Sequence, residues 1–471
     1  MQHEAAPPQP ESAAGRATTA LLGNGPIRAF DVTNRLVFSI AVPMTLAYLS
    51  VPLAGLVDTA VIGQLGNAEL IGGIAVGAII LDVVFTTFNF LRSGTTGLTA
   101  QAYGAGDVKE EQAVLLRALV LAVMAGAAVI ALQSPLTSLG IRAMDVGPGI
   151  ADATERYLFV RIWAAPFMLA NYALVGWFLG VGRALLVLGF QAVLAATNIG
   201  LSILFVLGFG WGVEGVAAAS VIAEVLTFLV SIPFVLPHVS GTARPSWKRI
   251  FDRLAFLRLV AVNRDIMVRS FSLLFAFAYF TRQGASLGAV VLAANALLMH
   301  FFLFAGYFLD GFATAAEQLV GRSVGARHLA AFDRSVRLTL LWGFGLAGGL
   351  AGLYLLAGGP LIDLMTTSEE VRETARRYLL WACLTPIAGV LAFQMDGIYI
   401  GATWSREMRN MMLASLAAFV LACWALMPLF GNDGLWAALL ILLGARGATL
   451  SWRLPARRQA TFGEFSANAA G

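Results

Sequence analysis

Ten ionisable side chains sit inside long apolar runs of this 471-residue chain: Asp58, Asp82, Arg92, Arg161, Glu224, Arg269, His300, Asp310, Glu317 and Asp396. The chemistry they offer is reversible: a carboxylate that gains and loses a proton or a cation, or an ion pair that opens and closes. An ionised Asp near the middle of a bilayer costs at least about 2.5 kcal/mol, so such groups face a partner, a polar cavity or water. Asp58 leads the set because the uncharged run from Leu36 to Val57 precedes it directly. That run has the roughly 20 apolar residues that, at about 1.5 Å each, cross a hydrocarbon core of about 30 Å. Asp58 is therefore either a coupling acid aimed into a cavity or a hydrated residue at the outer interface.

Bond-making chemistry lacks its motifs. The two lysines, Lys109 and Lys248, follow Val108 and Trp247, so no G-x-x-x-x-G-K-[ST] loop exists and ATP-driven pumping by this chain is excluded. Zinc-type His/Glu spacing and a nucleophile elbow are also missing. The expectation is a protein that is not an enzyme, with no cofactor and no metal. Cys383 and Cys423 fall inside apolar runs and read as small core residues.

The elements that must position these groups are membrane helices. Hydrophobic residues make up 59% of the chain and charged ones 12%, and mean hydropathy is +0.79; ordinary globular proteins carry roughly 25% charged residues. The apolar segments lack strand-like alternation, which leaves helices as the spanning structure. Six spans are expected at about 35–63, 70–103, 113–139, 153–182, 184–209 and 213–237, and six more at 265–284, 287–320, 330–357, 373–402, 407–430 and 433–453. The fold class is an all-α polytopic membrane protein. Residues 1–30 read as a disordered tail and not a cleavable signal, 31–238 as an N-terminal six-helix lobe, and 239–264 as a basic linker. Residues 265–455 form a C-terminal lobe and 456–471 a second tail. The formal charge of +4 gathers in alternate loops, which is a topology signal placing both termini in the cytoplasm, with no nucleic-acid partner. A multi-pass protein of the cell's inner membrane is expected.

The two halves resemble each other at a shift of 217 to 221 residues. Gln101-Ala-Tyr-Gly104 matches Gln318-Leu-Val-Gly321, and Gly176 and Gly180 match Gly397 and Gly401. Six spans per half is an even number, so both halves enter the membrane from one side and a pseudo-twofold axis runs along its normal. A cleft between two similar bundles follows. A shift of 218 sets Asp82 opposite His300 and Arg92 opposite Asp310, two candidate ion pairs across that cleft. Glu317 and Asp265 lie near expected cytoplasmic helix ends and read as capping or solvated groups. Pro43, Pro52, Pro166, Pro386 and the piece Gly94-Thr-Thr-Gly97 are expected to interrupt helices.

Gly55-Leu-Val-Asp-Thr-Ala-Val-Ile-Gly63, Phe90-Leu-Arg-Ser-Gly-Thr-Thr-Gly-Leu-Thr-Ala-Gln101, Leu309-Asp-Gly-Phe-Ala313 and Met395-Asp-Gly-Ile-Tyr-Ile-Gly-Ala-Thr403 together resemble the DinF branch of the multidrug and toxic compound extrusion (MATE) transporters, over about residues 30–455. The resemblance implies two six-helix lobes around a V-shaped cleft. It also implies secondary active efflux of organic or cytotoxic compounds by antiport with H+ or Na+, through alternating access. The first-helix acid that resembles this branch's coupling site is Asp58, and the tenth-helix acid is Asp396. Other branches use a Glu inside helix 7, whereas Met267 to Phe280 contains no acid, which favours a proton at Asp58. Arg92 and Arg269 keep an exporter of organic anions such as citrate open. The rival from another class is a flippase for lipid-linked precursors, against which twelve spans argue. The expected partners are the bilayer, a small organic substrate and H+ or Na+, with the chain acting as a monomer.

Overall fold

The computed structural model describes residues 28–239 and 244–468 and is built from helices throughout. Most of the tail expected over residues 1–30, part of the linker and the last three residues lie outside the described residues. In the first half come α1 (Asn34–Gly63), α2 (Ala68–Thr87), α3 (Phe90–Ala105), α4 (Val108–Ala131), α5 (Gln133–Met144), α6 (Pro148–Arg161), α7 (Ala165–Gly180), α8 (Ala184–Ile203) and α9 (Gly212–Val239). After the short α10 (Trp247–Ile250) come α11 (Arg253–Ser286), α12 (Ala289–Gly325), α13 (Leu329–Met365), α14 (Glu369–Gly401), α15 (Ser405–Phe430) and α16 (Asn432–Asn468). The pairs α2/α3 and α6/α7 each make one span, giving twelve.

Local sequence sets the starts. Thr33 accepts a hydrogen bond from the Leu36 amide, Asn67 from Glu69, Asp107 from Glu110 and Asp252 from Ala255, so each α1, α2, α4 and α11 begins with a side-chain oxygen on an otherwise orphaned donor. Asp252 starts the seventh span at Arg253, well before the expected residue 265. Of the basic residues of the expected linker, Lys248 and Arg249 lie in the short α10, and Arg253, Arg258 and Arg264 lie in the first turns of α11, where long stems can lie along apolar surface while the charge reaches water. Among the described residues, eleven helical stretches are apolar and long enough to cross a membrane; α11, with Arg258, Arg264, Asp265 and Arg269, is not among them.

The prolines and glycines do something other than interrupt. Helix α1 continues through Pro43 and Pro52, and α14 through Pro386. The observed breaks fall at Phe88–Asn89 and at a 3-10 turn, Ile162–Ala164, just before Pro166. Gly94-Thr-Thr-Gly97 is continuous helix. Its glycines serve approach: a Cβ on Gly97 would collide with the Ile400 carbonyl of α14.

Away from the termini each half keeps its own core. One packs Phe280, Leu298 and Trp436; the other packs Ile62, Ile80 and Leu158. At the end bearing the termini a single core is shared, with Met44, Trp177 and Phe178 of the first half against Phe312 and Leu319 of the second. Cross-lobe hydrogen bonds gather in the same half of the molecule. Gln101 donates to the Gly401 carbonyl at 3.0 Å, and its repeat mate Gln318 donates to the carbonyl of Gly180, the repeat mate of Gly401, at 3.5 Å. Trp342 donates to Asn34 at 3.0 Å, and Tyr48 meets Thr314 nearer the middle at 2.8 Å. In lipid, close backbone approach and such polar contacts hold helices together, because apolar side chains gain little over lipid tails. The lobes are joined at the terminus-bearing end and part toward the other.

Candidate functional site

Two polar clusters lie along the parting. In the N-terminal lobe, Ser202 on α8 donates to Asp58 Oδ1 at 2.8 Å, and Asn198, one turn earlier, also reaches the carboxylate. Asp58 is half-buried and turned toward α8, not out to water at the helix end. Immediately after Ser202 the helix widens into a five-residue π turn, Leu204–Gly208, a distortion that frequently marks functional positions. Glu224 on α9 accepts from Asn171 Nδ2 at 2.8 Å. Arg161 at the end of α6 interacts electrostatically with Asp58, Asp82 and Glu224, so one guanidinium serves three acids.

The second cluster is central. Asp396 on α14 is gripped by Arg269 of α11 and Arg446 of α16; Arg446 Nε also donates to its Oδ1 at 3.2 Å. Both carboxylate oxygens are thereby occupied. Arg92 on α3 is steadied by Asn89 at 3.3 Å and Ser93 at 3.2 Å, and its Nη1 lies 3.9 Å from Glu317 Oε2 on α12. Asp310, two turns before Glu317, feels Arg92, Arg269 and Arg446. Losing one partner of a buried pair of this kind costs about 3–5 kcal/mol.

Several expectations change here. The shift of 218 does bring Arg92 and Asp310 into one cluster, but the direct cross-lobe ion pair is Arg92 with Glu317. Glu317 is neither a cap nor solvated: it is 2% exposed, because α12 runs on to Gly325 and carries it inside. Asp265 is likewise buried, bonded to Arg409 at 2.7 Å, Arg264 at 3.1 Å and Ser405 at 3.2 Å. Asp82 and His300 are exposed on the helix surfaces, and the charged neighbour of Asp82 is Arg161. Arg446 escaped the sequence reading, although an Arg amid Ala437 to Leu450 is the kind of intramembrane charge that marks a site. Glu224 and Arg161 were visible as charges; their company with Asp58 was not.

The comparisons with known proteins bear on the family and the fold. The MatE family profile matches residues 43–204 and 266–424, one stretch in each lobe. The chain is 39% identical to DNA damage-inducible protein F of Escherichia coli K12, over 89% of this chain and 92% of that protein. It is 27% identical to the chloroplastic Protein DETOXIFICATION 44 of Arabidopsis thaliana, over 89% of this chain and 82% of that one. Among solved structures, a MATE protein in the bent conformation superposes with a TM-score of 0.84 at 16% identity, covering 97% of this chain and 99% of that one. The Vibrio cholerae MATE transporter VcmN in its bent form gives 0.82 at 20% identity, covering 96% and 99%. With a family profile on both lobes and a near full-length relative well above 30% identity, the chain belongs to the MATE family of multidrug efflux transporters, beside DNA damage-inducible protein F.

Proposed function

We propose that the protein exports organic compounds, cationic ones in particular, in exchange for protons moving inward, with Asp58 as the coupling carboxylate and both termini in the cytoplasm. The observation that carries this reading is the N-terminal cluster, in which the half-buried Asp58, the buried Glu224 and the more exposed Asp82 all interact with the one positive charge of Arg161. A group of acids short of positive charge takes up a proton or a cation, and the two compete. In the central cluster three arginines meet three carboxylates, so the cleft as a whole has no positive surplus of the kind an organic-anion exporter would use.

The thermodynamics suffice. One proton crossing about 100 mV and one pH unit releases roughly 2.3 plus 1.4 kcal/mol, enough for a substrate gradient of some hundreds-fold. The join at the terminus-bearing end supports an outward-open resting state in this orientation, with Asp58 reached from outside.

Transport of ethidium by proteoliposomes under an imposed pH gradient tests the proposal. Asp58→Asn is expected to abolish proton-driven export while leaving the protein folded. Export by that variant at the wild-type rate would end the assignment, and equal rates with a sodium gradient alone would replace the proton by Na+.

A further inference from the structure

The central cluster contains an imbalance that Asp396 conceals. Asp396 takes two arginines, Arg269 and Arg446, on both of its oxygens. The remaining carboxylates, Asp310 and Glu317, share Arg92 as their nearest cation, while Arg269 and Arg446 act on them from a greater distance and are bonded to Asp396. They stand on α12 at positions i and i+7, on one helical face and about 10 Å apart along the axis, with Thr314 between. This stripe meets Tyr48 of α1, whose hydroxyl is 2.8 Å from Thr314 Oγ1, and Arg92 of α3.

Arg92 belongs to one lobe and the stripe to the other. Their contact is loose: Arg92 Nη1 and Glu317 Oε1 are buried and without hydrogen-bond partners. A charged pair with unused donors and acceptors on both sides is held together by position more than by bonding. When the lobes part at the terminus-bearing end, Arg92 leaves with α3 and the stripe keeps two carboxylates whose remaining cations, Arg269 and Arg446, are already ion-paired to Asp396. Buried carboxylates do not stay unpaired; they bind a cation or a proton.

We infer that the Asp310–Thr314–Glu317 face of α12 is a second exchange site, which binds one monovalent cation, a proton or an organic ammonium, whenever Arg92 is withdrawn. Arg92 is the tethered competitor: it occupies the site in the joined state and expels what was bound there. This rests on the antiport reading and adds a second carboxylate station to Asp58, on the opposite lobe. The groups facing the stripe are Arg92 and Thr96 of α3, Tyr48 of α1, and Arg269 of α11 and Arg446 of α16, which are themselves paired to Asp396 of α14, while Tyr307 on α12 itself feels the charges of both Asp310 and Asp82 of α2. Asp396, the acid nominated by likeness to the family, is then a fixed counter-ion and not an exchange group.

The test measures binding of ethidium and tetraphenylphosphonium to the full-length protein in detergent, together with protons released per cation bound in weakly buffered solution. Glu317→Gln is expected to weaken cation binding at least tenfold and to lower proton release; Glu317→Asp restores both in part. Arg92→Gln is expected to tighten binding several-fold, a gain that a merely structural arginine would not give. Arg92→Gln weakening binding as much as Glu317→Gln, or Glu317→Gln binding both cations like wild type, overturns the second site. The outcomes separate from those of the main proposal through Asp58→Asn. If wild type exports cations and Asp58→Asn does not, yet Glu317→Gln binds normally, the second site alone fails. If wild type neither binds nor exports either cation, both fail.

Discussion

Gln101 on α3 and Gly401 on α14 are joined across the lobes by a 3.0 Å hydrogen bond, and the internal repeat maps this contact onto its counterpart, Gln318 with Gly180. The two bonds cross each other's lobes in opposite senses, as a pseudo-twofold axis requires. Each is worth about 0.5–1.5 kcal/mol. The double variant Gln101→Ala/Gln318→Ala is therefore expected to shift the lobe equilibrium by about tenfold. Ala100, which packs on Gly321 of the other lobe, offers the readout. In an Ala100→Cys background, maleimide labelling should accelerate about tenfold in the double variant, and unchanged labelling would rule out the pair as a latch.

Gly97 admits the Ile400 carbonyl where a side chain cannot fit. Gly97→Val is expected to hold the terminus-bearing end apart even with both glutamines present. Fast Ala100→Cys labelling together with lost transport is the expected result, and normal transport would show that α3 and α14 need not approach so closely.

Arg446 and Arg269 share one carboxylate, and the arrangement predicts strong non-additivity. Arg446→Met leaves Asp396 with half its counter-charge and is expected to cost about 3–5 kcal/mol, a drop of several degrees in Tm in detergent. Adding Asp396→Asn should return part of that loss, since neighbours in one network couple by about 0.5–3 kcal/mol. Additive losses would mean that the pairs act independently.

Arg117 ties the connection between lobes to the first lobe. Buried on α4, it donates to the carbonyls of Arg249 at 2.5 Å and Ile250 at 2.9 Å and pairs with Glu110 at 2.6 Å. Arg249 in turn pairs with Asp107 at 2.5 Å and Glu110 at 3.1 Å. Arg117→Met strands two carbonyls and is expected to cost about 2–4 kcal/mol and to open the 244–252 segment to protease. A protease pattern like that of wild type would refute this role.

Fold class and span number were legible because apolar length is read directly against bilayer thickness. The repeat was legible too, and it named Gln101 and Gln318 as mates before their partners were known. The site was legible only as a set of charges. Asp58 and Asp396 stood out because each interrupts an apolar run, but pairing depends on helix rotation and tilt, which no run of residues encodes. Glu317 shows the failure best. Its distance along the chain from the next polar loop suggested a helix end, and only the length of α12, continuing to Gly325, places it in the interior. Arg446 lies amid an apolar run of the last span, and its pairing with Asp396 of α14 is a matter of tertiary packing.

Helix α11 carries a consequence for how the protein is made. With Arg258, Arg264, Asp265 and Arg269 along its first half, it falls short of the apolarity that the other eleven stretches reach. Each arginine near a helix centre costs roughly 2.5–3.5 kcal/mol to insert alone. Its counter-charges, Asp396 and Arg409, lie on α14 and α15, more than a hundred residues downstream. The ribosome must therefore synthesise most of the second lobe before this segment has a reason to enter the bilayer. Chains truncated ahead of α14 are expected to leave it on the membrane surface, accessible to cysteine reagents at introduced cysteines, while full-length chains bury it.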